Sequence, residues 1–374
     1  MRCSRLVTGV VFAVALTALP SIARAADEQI AAPVKAPVKA NPIPNVPFFI
    51  LNDNRLTYSY QFTATDPGAY SVQPNGTING TTAKQVYSFT HFDIWAYGTN
   101  FFNIDMLKSG HNDPASPCQP TGTLPFGPPG ACAGATEFYA IERSTFGWNE
   151  IFDTKAFKIG PLRNISFEVG VDLGTANSYY APTTNNVLAG LQFAFDLPYK
   201  GYFNVAPLVV DGLASHKSFL QCGLFSPGVP GVTCLADGNR VFPPTWKIET
   251  NYYMDLGFLP ESVRYFAISG RVSATGAKGD INTLPALSGV GRFSTASKIE
   301  LNSEPIRVTF DASKAFWGPK YSHFVDLWVA YRYWQNKYGL DSNATPGTCT
   351  VAATGASTNS CTEKSASAGV SVKF

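Results

Sequence analysis

Charge is what this chain has least of. Only 14% of its residues are Asp, Glu, Lys or Arg, against about 25% in an ordinary soluble domain. With 45% hydrophobic and 13% aromatic residues beside it, that scarcity excludes a charge-rich disordered chain. After the first twenty positions the sequence also lacks any apolar run of about 18 residues or more, which excludes a bundle of membrane helices. P-loop, dinucleotide, zinc and EF-hand signatures are all missing, and the four histidines (His91, His111, His216, His323) do not gather in sequence with the cysteines. No metal or cofactor is expected. What abounds is Gly (32) and Pro (27), the residues of frequent turns. A chain too apolar for a water-facing surface and too interrupted for membrane helices has the profile of a membrane-spanning β-barrel.

The first residues read as an export signal: Arg2 and Arg5, then the apolar stretch Leu6 to Leu19, then Ala23-Arg24-Ala25 as a cleavage site. Removal of residues 1–25 with their three arginines takes the formal charge from +2 to −1, so a basic nucleic-acid surface is not expected. Residues 26–50, containing AAPVKAPVKANPIPNVP, are too rich in Pro for a sheet and read as an extended periplasmic leader or a lumen plug. Cys3 leaves with the signal. The other six cysteines form close pairs, Cys118 with Cys132, Cys222 with Cys234 and Cys349 with Cys361, each bracketing a stretch rich in Gly, Pro, Ala, Ser or Thr. Three loop disulfides made in an oxidising compartment are expected.

Residues 51–374 repeat one pattern: about ten residues of alternating apolar and polar character, then turn residues. Ile165, Phe167, Val169, Val171 and Leu173 alternate with Ser166, Glu168, Gly170 and Asp172, a period of two that no helix keeps on one face. Twelve strands are predicted, near 54–63, 86–97, 101–108, 135–143, 164–173, 186–196, 201–210, 245–255, 262–272, 297–311, 322–336 and 365–374, with a β-bulge at Ser303 to Pro305. The expected fold is an all-β, antiparallel up-and-down transmembrane barrel in the bacterial outer membrane. The cysteine pairs fall in connections after strands three, seven and eleven, all odd, so all three loops emerge on the outer side. The last strand ends on Phe374, the kind of terminus that barrel-assembly machinery is thought to read.

If the apolar stripe of each strand faces lipid, the other stripe lines the lumen. That parity assigns Tyr87, Phe89, His91, Asp93, Trp95, Asp105, Glu142, Glu168, Asp172, Lys247, Glu249, Arg271, Asp326, Trp328 and Arg332 to the solute path, with Asp255, Glu300, Arg307 and Asp311 beside them. Aromatic faces next to carboxylates and basic groups suit a partly apolar ring that carries hydroxyls. Trp95, Tyr97 and Trp334 read equally as girdle residues at the bilayer interface.

The run Phe92-Asp93-Ile94-Trp95-Ala96-Tyr97-Gly98 and the run Phe138-Tyr139-Ala140-Ile141-Glu142-Arg143 resemble motifs of the Tsx-like nucleoside-specific channel-forming proteins. That resemblance implies a twelve-stranded barrel with passive uptake of nucleosides through a narrow lumen, and it carries over to Phe92, Asp93, Phe138 and Glu142. The sequence departs from the family's pattern at Ala96 and Ala140, where the family has an aromatic-Gly step and a Glu, and in lacking Pro before Arg143. The expected function is therefore a non-enzymatic channel for small solutes, with outer-membrane lipid as its surroundings. Two other readings compete: a structural or adhesion barrel with stapled loops, and a lipid-acting enzyme using His216-Lys217-Ser218, which lacks an orienting group and an oxyanion donor set.

Overall fold

In the computed structural model the described residues are 48–73, 75–116, 133–178, 183–212, 244–277, 298–340, 342–343, 349–351 and 354–374. The signal and most of the leader, Cys118, Cys132, Cys222, Cys234 and the His216-Lys217-Ser218 segment lie outside them.

Twelve antiparallel strands close into one barrel: β1 (Phe49–Thr65), β2 (Thr81–Trp95), β3 (Gly98–Ser109), β4 (Thr136–Gly147), β5 (Leu162–Ala176), β6 (Thr183–Leu197), β7 (Gly201–Gly212), β8 (Thr245–Asp255), β9 (Phe266–Thr275), β10 (Glu300–Asp311), β11 (Val325–Gln335) and β12 (Glu363–Lys373). Closure pairs β1 with β12 over Arg55↔Lys373 to Gln61↔Ser367, so no edge remains. The predicted strands are all present, displaced by up to a few residues, and β2 begins at Thr81 rather than near 86. The expected bulge lies in β10, where the register shifts between Ser303 and Ile306. Glu304 and Pro305 together oppose Arg332 there, which relieves the ladder of a donor that proline lacks.

The connections differ at the two ends. Short turns join β2 to β3 and β6 to β7, and at the same end helix α1 (Trp148–Ile151) sits between β4 and β5 and helix α2 (Ala312–Trp317) between β10 and β11. Asp311 caps α2 by accepting from the Lys314 amide at 2.9 Å. At the long-loop end, Cys349 is bonded to Cys361, and Cys349, Cys361 and Leu340 form a small buried cluster.

Two chemistries divide the wall. Leu56, Tyr58, Phe62, Phe167, Val169, Leu173, Trp246, Ile248, Leu327, Val329 and Tyr331 are exposed on its outside, an apolar surface made for a bilayer. At the short-turn end Trp95 packs against Phe48, Tyr97 and Phe146, and Trp148 against Phe157 and Phe167, forming an aromatic belt.

Candidate functional site

Side chains that meet across the barrel identify the inner face. Arg143 on β4 reaches Glu249 on β8, four strands away, donating from Nε and Nη2 at 2.8 Å each. The same Nη2 donates to Asp172 on β5 at 2.7 Å, and Lys247 on β8 donates to Asp172 at 2.9 Å. Lys247 also sits 2.6 Å from Glu249. This lattice of two cations and two carboxylates is a strut across the lumen. Gly170 on β5 makes room for it: a Cβ there would meet the Glu142 carbonyl oxygen at 2.2 Å and Arg143 Cδ at 2.8 Å. Gln192 donates to neighbouring Glu168 at 2.8 Å.

Register carries this face around the wall, because residues directly opposite on paired strands point the same way. Asp105, Glu168, Asp172, Lys247, Glu249, Arg271, Asp326, Trp328 and Arg332 lie on the inner face, along with Glu300, Arg307, Asp311 and Asp255. The other predicted positions require correction. Tyr87, Phe89, His91, Asp93 and Trp95 on β2, and Glu142 on β4, lie on the outer face, as does Phe138 of the second motif. Tyr87 pairs with lipid-facing Tyr58, Phe89 packs against Phe102 and Phe374, and Trp95 belongs to the aromatic belt. Inner β2 positions are instead Lys84, Val86, Ser88, Thr90 and Phe92.

The reason for the inversion is a polar seam on the outer wall beside the belt. His91 Nδ1 meets Asn54 Oδ1 at 2.8 Å and its Nε2 meets Asp93 at 2.9 Å. Asn100 donates to Asp93 at 2.9 Å, and the Ser144 hydroxyl oxygen sits 2.7 Å from the Asn100 carbonyl oxygen and 2.5 Å from the Glu142 carboxylate. Polar groups at the bilayer boundary satisfy one another in this way, and Asp93 is only 3% exposed.

Toward the long loops, Lys84 pairs with Glu137, and Lys337 donates to Glu363 at 2.9 Å and to the Thr65 carbonyl at 2.6 Å. Trp334 donates to Glu300 at 2.7 Å. A chamber of the lumen is lined by Lys84, Asp105, Tyr139, Asp172, Lys247, Arg271, Arg332 and Trp334, among others. Two tryptophans of the inner face carry cations: Arg307 lies 4.0 Å over Trp328, and Arg332 and Lys337 lie 4.7 and 4.3 Å from the Trp334 ring centre. Trp328 rests on Gly369, where a Cβ would meet its ring at 2.5 Å.

At the short-turn mouth, Arg55 donates to Asp326 at 2.8 Å and to Asp53 at 2.7 Å. His323, in the turn before β11, places Nδ1 at 3.0 Å from Asp326 and Nε2 at 3.1 Å from the Tyr253 hydroxyl. Burial pulls its pKa down, but the Asp326 hydrogen bond and the charges of Asp326, Asp311 and Asp255 raise it further, above the ordinary 6.5. Asp311, His323 and Asp326 could present three ligand atoms to a metal. Asp311 is committed to capping α2 and to Ser322, and Asp326 to Arg55.

Sequence parity missed Arg143, Lys84, Glu137, Arg55, Lys337 and Glu363 as lumen residues. Arg143 sits in a strand whose two stripes, Glu137-Tyr139-Ile141-Arg143 and Phe138-Ala140-Glu142-Ser144, are equally mixed. Lys337 comes from a connection rather than a strand.

No protein-family model and no curated protein matches the chain. Among solved structures it is similar to a BenF-like porin from Pseudomonas fluorescens, at 10% identity over 86% of this chain and 98% of that one, with a TM-score of 0.34. It is also similar to OccAB3 of Acinetobacter baumannii, at 7% identity over 86% and 99%, TM-score 0.35. A third is the outer membrane protein opdK from Pseudomonas aeruginosa, at 7% identity over 87% and 100%, TM-score 0.33.

Proposed function

We propose that the protein is a channel of the bacterial outer membrane for passive, partly selective diffusion of small hydrophilic solutes. One observation carries the reading: an apolar outer wall with an aromatic belt encloses an inner wall of paired charges around an open chamber. Such a lumen excludes apolar solutes and offers polar ones successive weak partners, which suits conduction better than tight binding. The strut from Arg143 to Glu249 narrows the path, so passage is limited to small molecules.

Nucleosides are the finer candidate. The resemblance at β2 to β4 favours them, but the placement of Trp95, His91 and Phe89 outside, and the cations over Trp328 and Trp334, take away rings on which that preference relied.

Liposome swelling with purified protein tests both levels. Uptake of uridine faster than of a sugar of similar size supports the nucleoside preference, equal rates leave a general pore, and the absence of swelling with either refutes the channel.

A further inference from the structure

The inner wall over β9 to β11 carries an imbalance not seen elsewhere in the described lumen. Glu304 lies opposite Arg271 in the β9–β10 ladder and feels the charges of Arg307, Arg271 and Arg332 together. Only Arg307 engages it directly, its Nε donating at 2.8 Å. One carboxylate therefore faces three guanidiniums.

The other two are not saturated. Arg332 donates from Nη2 to Asn302 at a long 3.3 Å, and its buried Nε forms an ion pair with Glu363 at 3.6 Å, too long for a hydrogen bond, with no hydrogen-bond partner among the described residues. Arg271 is exposed to the lumen, lines the chamber, and makes neither a hydrogen bond nor an ion pair among the described residues, although Asp105 and Glu304 act on it from a distance. By contrast Arg143, Lys247, Lys84, Lys337, Arg55 and Arg307 each hold a carboxylate within hydrogen-bond distance. Burying or half-burying a guanidinium without an acceptor is costly, and its planar fork matches the two oxygens of an oxyanion.

We infer that Arg271 and Arg332 form an oxyanion-binding step in the chamber, which would take a solute bearing a carboxylate or phosphate group. The β10 bulge builds it: with Glu304 and Pro305 opposing the single residue Arg332, the wall presents Arg271 and Arg332 on either side of one glutamate that Arg307 already neutralises. Asp105 across the lumen limits how tightly an anion is held, which favours transit over retention. This step rests on the channel reading, since it is the solute of that path that would use it.

Two measurements on the full-length protein test it, with inorganic phosphate and acetate as probes. In detergent, calorimetric titration should detect binding of one or both by the wild type, and Arg271→Gln should weaken it about tenfold, the loss of one charge-assisted hydrogen bond. Arg271→Lys should recover part of that loss. Because Arg271 is exposed to the lumen and makes no hydrogen bond or ion pair among the described residues, the variant should migrate as a folded barrel. In planar bilayers the same anions should reduce the chloride current of the wild type, and Arg271→Gln and Arg332→Gln should relieve that block. Response to acetate but not phosphate assigns the step to carboxylates, and the reverse assigns it to phosphates. Binding or block unchanged in both variants overturns the inference while the channel stands. Arg271-dependent binding in a protein that passes no current supports the site and refutes the channel.

Discussion

The strut across the lumen makes the sharpest claim about how the barrel works, and Arg143→Ala removes its centre. Arg143 donates twice to Glu249 and once to Asp172, and its Nη1 donates to the Glu142 and Val171 carbonyls at 2.7 and 3.0 Å. Each bond to a charged partner contributes about 1.5–3 kcal/mol in isolation, but their sum overstates the loss, because Lys247 stays within 2.9 Å of Asp172 and 2.6 Å of Glu249. Stripping one partner from a buried pair costs about 3–5 kcal/mol, and an exposed pair about 0–1. Side-chain exposures of 11% for Arg143 and 18% for Glu249 place this pair near the buried limit. Access of solvent along the lumen then discounts the loss to about 2–3 kcal/mol. Urea unfolding in micelles, read by the shift between folded and unfolded migration, should show that loss, while single-channel conductance in bilayers should rise as the cross-section opens. Glu249→Gln keeps an acceptor oxygen and should do less of both. A variant as stable as the parent that carries the same current would refute the assignment of the strut to the narrow part of the path.

Two further outcomes follow from the wall and from the short-turn mouth. Val329→Arg puts a charge on the outer face of β11, where it should destabilise the membrane-embedded barrel by about 2–4 kcal/mol; unfolding measured in lipid vesicles checks this, and no loss would mean that Val329 does not face lipid. His323 should titrate above 6.5 by NMR. Since its folded pKa is raised, the protonated ring stabilises the fold fully below pH 6.5 and that contribution fades as pH rises through the folded value; Asp326→Asn should reduce this pH dependence, and an unchanged profile would count against it.

The barrel itself was legible because its signal is redundant. Strands such as β5 alternate without a break, and the odd placement of the cysteine pairs was a check on the strand count that did not use hydropathy. The faces of β2 and β4 were not legible, for a physical reason. Near the bilayer boundary the outer stripe turns polar, as His91, Asp93, Asn100 and Ser144 bond one another, while the inner stripe carries Phe92 and Phe101. Hydropathy then points the wrong way, and only the register from neighbouring strands restores it. Ion pairs that cross the lumen, such as Arg143 with Glu249, join residues whose proximity depends on closure of the whole sheet, and no local spacing encodes that.

Closure also bears on how the chain reaches this state. The ladder of β1 with β12 joins the first described strand to the last, and Phe374 seals it by packing on Phe89 and donating its amide to the Asn54 carbonyl. Most hairpins can zip from local turns, but this pairing must wait for every strand between, so its loop-closure entropy is paid at the end. Until then the charges of the inner wall face no opposite side. The strut and the β1–β12 ladder should therefore appear in one kinetic step, with β12 as the strand whose arrival turns an open sheet into a pore.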